Sequence, residues 1–129
     1  MHGSEALSEI ARRIIHDLGT RFPDIEVRFK EQAGAMTCHV SDGRSFWGTV
    51  GTWVDPGDDL AEAEFEELLV SVAEDIADNL WPDELTDPWP PCPRHGDHPL
   101  HPGVVRGSAA WACRRDDRVA IVIGNLGES

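Results

Sequence analysis

The chain has 129 residues, of which 40% are hydrophobic and 27% charged, and its formal net charge at pH 7 is −13. These values predict one globular domain, or one core with a small appendage. No run of about 18 apolar residues occurs, which excludes a membrane-spanning helix, and the first residues lack the basic-then-apolar order of a signal peptide. Because three cysteines cannot all pair within one chain, we expect a cytoplasmic protein with reduced thiols.

The charges are unevenly distributed. No Lys or Arg lies between Arg44 and Arg94, whereas thirteen acids lie between Asp55 and Asp87. The segment after Asp87 is mildly basic, with five arginines and four acids. This field repels nucleic acids as a whole and attracts a basic partner. A surface that serves solubility alone is the alternative interpretation.

The first predicted element is a helix that begins near Ser4, its expected N-cap, and stops at Gly19. Polar residues, among them Asp17, fall mostly on its outer side. Its apolar positions recur at steps of three and four. They are Leu7, Ile10, Ala11, Ile14, Ile15 and Leu18.

Two segments of alternating apolar and polar residues follow, at 25–29 and 36–40, and a third segment, 46–54, is rich in β-branched and aromatic residues. A turn at Gly34 separates the first two, and an Asp-Gly hairpin signal separates the last two. Gly48 in the third segment indicates a bulge or a close backbone approach. The pattern predicts a three-stranded antiparallel meander.

Residues 60–80 predict a long amphipathic helix with acidic residues, such as Glu66 and Glu74, largely outside. Pro82 is expected to limit this helix, and the proline-rich segment 83–91 to be an extended connector. The prediction is therefore an α+β fold: a helix–meander–helix unit at 1–82, the connector at 83–91, and a β-hairpin unit at 92–129 packed on the first unit.

Residues 92–96 read Cys-Pro-Arg-His-Gly. This is the pattern of a tight turn that directs two metal ligands at one ion, with glycine supplying a permissive backbone after the second ligand. A poorer turn of the form Cys-x-x-Asp begins at Cys113, between two predicted strands at 108–113 and 119–123.

Together, residues 92–126 resemble a zinc ribbon. The order Cys-Pro-x-His, His-Pro-Leu and Trp-x-Cys more loosely resembles that of small uncharacterised actinobacterial proteins. The resemblance implies a metal-binding or vestigial ribbon and no known reaction. This sequence differs from the ordinary ribbon because it has two cysteines in the segment instead of four.

The expected first three ligands are thiol and imidazole groups, from Cys92, His95 and Cys113. The fourth is expected to come from His98, His101 or Asp116. His98 is favoured, because imidazole binds zinc well and aspartate is commoner in catalytic sites. Thiol and imidazole ligands favour zinc over magnesium or calcium. The alternative is a solvated proline-rich loop, with Cys113 buried in a strand.

The sequence predicts a structural zinc and no enzyme activity, since no zinc-protease, zinc-deaminase, P-loop or dinucleotide-binding motif occurs. The favoured function is a protein-binding or regulatory module with a basic protein as its partner. Its acidic helix would supply carboxylates and its tryptophans, if exposed, the contact anchors. Those tryptophans are Trp47, Trp53, Trp81 and Trp89.

Nucleic-acid binding is the alternative function. Arginines in the last third of the chain would form a basic patch, with Trp111 as a stacking surface. These arginines are Arg94, Arg106, Arg114, Arg115 and Arg118. The remaining histidines, His2, His16 and His39, are expected at ordinary surface positions, and Cys38 is expected to be a core thiol.

Overall fold

The computed structural model of the chain describes residues 1–20, 26–32, 35–41, 46–52, 59–84, 89–95, 98–116 and 118–126; within 29–32, 35–41, 46–52 and 78–84 it describes the backbone. The elements in chain order are α1 (Gly3–Gly19), β1 (Glu26–Gln32), β2 (Ala35–Ser41), β3 (Phe46–Thr52), α2 (Glu62–Glu84), β4 (His101–Val105), β5 (Ser108–Ala112) and β6 (Ala120–Val122). The mixed architecture of helices and an antiparallel sheet confirms the α+β prediction. No helix of the described segments has the length and apolarity to cross a bilayer.

The first sheet is the predicted meander, in the order β1-β2-β3, with antiparallel pairing throughout. The pairing of β2 with β3 shifts by one residue, because Val40 pairs with Gly48 while Ser41 pairs with Phe46. This irregularity lies beside the glycine at which the sequence predicts a bulge. The predicted turns at Gly34 and Asp42-Gly43 lie outside the described residues.

The second sheet has three strands, in the order β4-β5-β6, where the sequence predicts a hairpin of two. The extra strand is β4. It contains Pro102 and Gly103, and a sequence with these two residues is not normally predicted as a strand. Proline is nevertheless tolerated on an edge strand such as β4. The two-residue turn from β4 to β5 places Arg106 at φ 53° and Gly107 at φ 83°. Positive φ at both positions is typical of the type I′ hairpin turn.

Three sequence predictions for α1 are wrong. The helix begins at Gly3, with His2 in the N-cap position, so Ser4 already lies inside it. Asp17, predicted on the outer side, is completely buried. Its carboxylate accepts hydrogen bonds from Trp111 and from the backbone near the end of the described chain, which hold that helix face inside. Ile15, counted with the apolar face, is instead 38% exposed.

The core joins both helices to the second sheet. α2 contacts β3 of the first sheet and also β4 and β5 of the second. Glu66 of α2, predicted outside, is buried and accepts a 2.8 Å hydrogen bond from the backbone N–H of Ala109. The helix also runs two residues past Pro82, to Glu84. One cluster of buried side chains includes Ile10, Leu18, Leu69, Val72, Ile76, Leu100, Trp111 and Ile123.

Candidate metal centre

The turn after Cys92 is closed by backbone hydrogen bonds on both of its sides. The N–H of Cys92 donates to the carbonyl of His98 at 3.1 Å, and the N–H of Leu100 donates to that of Pro90 at 2.7 Å. Residues 91 and 99 form an antiparallel bridge between these bonds. The segments before residue 92 and after residue 98 therefore lie antiparallel, and the turn between them begins with residues 93–95. This path places the two imidazoles beside the first sulfur.

Cys113 reaches the same place from the second sheet. It follows β5 directly, and its N–H donates to the carbonyl of Val119 at 3.0 Å, which closes the turn to β6. His101, at the start of β4, pairs with Ala112 at the end of β5. His101 lies three residues after His98, so the pairing of β4 with β5 brings Cys113 close to His95 and His98.

Cys92, His95, His98 and Cys113, hereafter the four-residue cluster, offer ligand atoms that all lie within 4.8 Å of one another. His95 Nδ1 lies 3.3 Å from Cys92 Sγ, 3.5 Å from Cys113 Sγ and 3.0 Å from His98 Nε2. Cys113 Sγ lies 3.7 Å from His98 Nε2. A tetrahedral zinc separates a sulfur and a nitrogen ligand by about 3.6 Å and two nitrogens by about 3.3 Å. The four measured distances are close to these values, so the cluster could hold a metal ion.

The two kinds of ligand differ in their exposure to solvent. Cys92 is 1% exposed and Cys113 4%, whereas His98 is half-buried and His95 exposed. The two sulfurs lie on the inner side of the cluster, shielded from solvent, and the His95 imidazole lies on the outer side.

A backbone carbonyl orients His98. Its Nδ1 lies 3.1 Å from the carbonyl oxygen of Pro99, which can only accept, so Nδ1 carries the proton and donates. In the neutral ring, Nε2 then presents a lone pair to the cluster. Metal-binding histidines usually have such an outer hydrogen bond, which fixes the tautomer and the ring orientation.

Of the alternative fourth ligands, Asp116 is instead bound to arginines. Its carboxylate accepts hydrogen bonds from the N–H of Arg118 at 3.0 Å and from Arg94 Nη1 at 2.8 Å. The N–H and guanidinium of Arg118 and the charge of Arg94 lower the pKa of Asp116 below its usual range. The Arg94–Asp116 pair ties the two ligand-bearing turns together, a contact that the sequence analysis missed.

The other alternative, His101, also lies outside the four-residue cluster. It lines a neighbouring cavity of about 290 Å³ together with Glu74, Trp89 and Arg114. His2 and His16 are exposed, as predicted. The side chains of Cys38 and His39 lie outside the described residues.

Two tryptophans pack behind the centre. The rings of Trp89 and Trp111 meet edge to face, with centroids 5.4 Å apart, and the residues are 5% and 1% exposed. The prediction of Trp111 as a stacking surface for bases is therefore wrong, and Trp89 cannot be an exposed anchor. The side chains of Trp47, Trp53 and Trp81 lie outside the described residues.

Comparison of the chain with protein-family models, with curated proteins and with solved structures gives no match. The geometry of the four-residue cluster and the charges around it are therefore the basis for a functional proposal.

Proposed function

We propose that the protein is a small, non-enzymatic interaction module whose C-terminal sheet is stabilised by a structural zinc ion. The observation that carries this proposal is the convergence of two sulfurs and two imidazole nitrogens at nearly tetrahedral spacing. Thiol and imidazole ligands suit zinc and are poor ligands for magnesium and calcium. The order of the ligands along residues 92–126 resembles that of a zinc ribbon, which supports the same proposal.

A structural role is favoured over a catalytic one by the number of ligands. Four protein ligands complete the tetrahedral shell, whereas catalytic zinc sites leave one position for water or substrate. The carboxylate nearest in sequence to Cys113, that of Asp116, is bound to Arg94 and Arg118. It is therefore poorly placed to act as a general base.

The zinc would join the turn after Cys92 to the end of β5, beside the Arg94–Asp116 ion pair. Cys92 lies in a turn, and Cys113 lies at the end of a five-residue strand. Metal binding contributes directly to folding at such a site, because the unfolded chain has no preformed set of ligands.

Native mass spectrometry of the full chain tests the metal. We expect one zinc ion per chain, and we expect chelation to lower the free energy of unfolding. Substitution His95→Ala should weaken zinc binding by more than the roughly 10- to 100-fold that follows the loss of an outer-shell partner. His2→Ala is the matched control, since His2 is exposed and is not a member of the cluster. A metal-free protein that folds equally well with chelator present would refute the structural zinc.

The exposed face of α2 supports a basic protein as the partner. At 3.6 residues per turn, the acids at 64, 67, 74 and 75 fall within an arc of about 100°. Their side chains are exposed. The carboxylates thus form one stripe, which would attract lysine- or arginine-rich surfaces and would do so less at high salt.

Binding of a lysine-rich peptide tests this stripe. Glu67→Lys should weaken binding at low salt more than Glu5→Lys does. Both substitutions change the net charge by the same amount, but Glu5 lies on α1. Equal effects of the two variants would show that net charge alone, and not the stripe, attracts the peptide.

Nucleic-acid binding through the C-terminal arginines remains the second candidate. Its support is that Arg94, Arg106, Arg114 and Arg118 are all exposed on the unit that carries the cluster. Its weakness is that Arg94 and Arg118 already bind Asp116. Retention on duplex DNA near physiological salt, lost in Arg114→Glu, would support it.

We also propose a cytoplasmic location, because three cysteines cannot all pair within one chain and reduced thiols are usual in the cytoplasm.

A further inference from the structure

We propose that Cys92 and Cys113 form a peroxide-sensitive thiol pair, which hydrogen peroxide converts to a disulfide with release of the zinc. The inference rests on the proposed function, because it describes how that zinc site would be emptied. It adds a chemical input, an oxidant, to a site proposed above as purely structural.

Zinc binding by the four-residue cluster depends on its two sulfurs. It has two sulfur and two imidazole ligands, and its ligand atoms lie within 4.8 Å of one another. A disulfide requires the sulfurs to lie about 2 Å apart, so the turn at Cys92 and the end of β5 need to close by no more than about 3 Å. The bond would remove both anionic ligands at once. Two neutral imidazoles would remain, which is half of the shell that structural zinc requires.

The exposure of the ligands defines a route for a small oxidant. Both cysteines are buried, and the outer side of the cluster is formed by His95, which is exposed. His95 Nδ1 is within 3.5 Å of both sulfurs. Swinging this one imidazole outward would remove its contacts with both sulfurs and open a path for a molecule as small as hydrogen peroxide.

The reaction balances with hydrogen peroxide as the oxidant. One thiolate attacks a peroxide oxygen, the O–O bond breaks, and a sulfenic acid and hydroxide form. The second thiolate then attacks the sulfenic sulfur, the S–O bond breaks, and a second hydroxide leaves. Two protons from the buffer acid neutralise the two hydroxides, which leave as two waters. The sulfurs lose two electrons, the peroxide gains them, and the zinc departs as Zn²⁺ without a change of oxidation state.

The disulfide would replace one cross-link with another. It joins the same two chain positions as the metal does, so the turn stays attached to β5, where Trp89 packs against Trp111. The imidazoles of His95 and His98, by contrast, are set free. The expected oxidised form is therefore folded and differs from the reduced form chiefly at the histidine-bearing surface.

Trypsin digestion tests the proposal in the full-length chain, because it places each cysteine on a separate peptide. Cleavage after Lys and Arg gives peptides 31–44, 45–94 and 107–114, which contain Cys38, Cys92 and Cys113 respectively. Reduced, zinc-loaded protein is treated with hydrogen peroxide, zinc release is followed with a chromogenic chelator, and the non-reduced digest is analysed by mass spectrometry.

We expect complete loss of the bound zinc, together with a disulfide that joins peptide 45–94 to peptide 107–114. A thiol reductant and added zinc should restore the starting state. Cys38→Ser is the matched variant: it removes the third thiol, and zinc release should keep its wild-type rate within about twofold. If that variant does not fold, peptide mapping of the wild-type chain gives the same assignment.

Two kinds of result would overturn this inference and leave the proposed function standing. In the first, zinc stays bound after oxidation. In the second, zinc is lost, but the disulfide contains Cys38 or the cysteines are oxidised separately to sulfinic acids. A reduced protein that binds no zinc would overturn the proposed function and this inference together. A failure of the proposed function can thus be distinguished from a failure of this inference alone.

Discussion

Asp17 is the residue that links α1 to the C-terminal sheet. Its carboxylate accepts hydrogen bonds from Trp111 Nε1 at 2.7 Å, from the N–H of Gly124 at 2.7 Å and from the N–H of Leu126 at 3.0 Å. A buried carboxylate is tolerated when several donors replace its hydration. The same bonds orient Trp111, which lies two residues before a sulfur of the four-residue cluster.

Asp17→Ala should destabilise the protein by about 3 kcal/mol or more, because it leaves three donors, two buried and one half-buried, without their acceptor. Urea denaturation of the metal-loaded protein measures the change. Ser8→Ala, at an exposed position of the same helix, should change the stability by less than about 0.5 kcal/mol. Similar values for the two variants would contradict the role assigned to Asp17.

Glu9 gives a residue-scale prediction with a pH dependence. Hydrogen bonds from Arg12 and Arg13, and the charges of both, lower the pKa of Glu9 to about 2. A lowered carboxyl pKa contributes stability above the unfolded value, 4.5, and this contribution is lost as the pH falls from 4.5 towards 2. Glu9 and its two arginines lie at the surface, so Glu9→Gln should lower the free energy of unfolding by only about 0.5–1 kcal/mol at pH 7.

The measurement is the difference in unfolding free energy between Glu9→Gln and the wild type as a function of pH. This difference should shrink through the same pH interval. Glu5→Gln, on the exposed first turn of α1, serves as the control. A difference for Glu9→Gln that stays constant down to pH 2 would contradict the assignment.

At the scale of elements, α1 and the segment after β6 fit closely. Gly124 has φ 109°, and a Cβ built on it would lie 2.8 Å from Cγ of Arg13. Arg13 cannot easily retreat, since its guanidinium also lies 5.3 Å from the ring centre of Phe65 on α2. The contact therefore involves both helices and the C-terminal segment.

Gly124→Ala should cost about 1–3 kcal/mol, from the left-handed backbone and from the displaced arginine. Gly103→Ala is the matched control, because a Cβ there meets nothing within 4 Å. Thermal and urea unfolding compare the two variants. Equal stabilities would show that the segment after β6 adjusts without cost.

The elements also show how far sequence patterns reach in this chain. Periodicity predicted α1, α2 and the meander, and ligand chemistry predicted the four residues that the structure brings together. β4 was missed because Pro102 and Gly103 hide a strand whose position is set by its partner β5. The burial of Asp17 was missed because its partners lie 94 to 109 residues away, and no local pattern reports a contact of that range.

At the scale of the whole molecule, like charges dominate. The net charge is −13, and acids crowd the exposed face of α2. Such self-repulsion opposes the compact state, whereas the described ion pairs, such as Glu9–Arg12, lie at the surface and contribute little. Repulsion should therefore outweigh the local attractions in the response to salt.

Raising the ionic strength from about 0.01 to 0.15 M shortens the Debye length from about 30 to 8 Å. We expect the free energy of unfolding of the metal-loaded protein to rise over this interval, as measured by urea denaturation at fixed pH. A fall in stability would mean that local ion pairs outweigh the net repulsion.

The long reach of the Asp17 carboxylate bears on how the chain matures during translation. Its nearest donor in sequence lies 94 residues downstream, which corresponds to about 5–20 s of synthesis at ordinary elongation rates. During that interval the nascent first helix carries an acidic group on the face that will be buried. The Asp17 carboxylate can therefore bind its three donors only after the C-terminal segment has left the ribosomal exit tunnel.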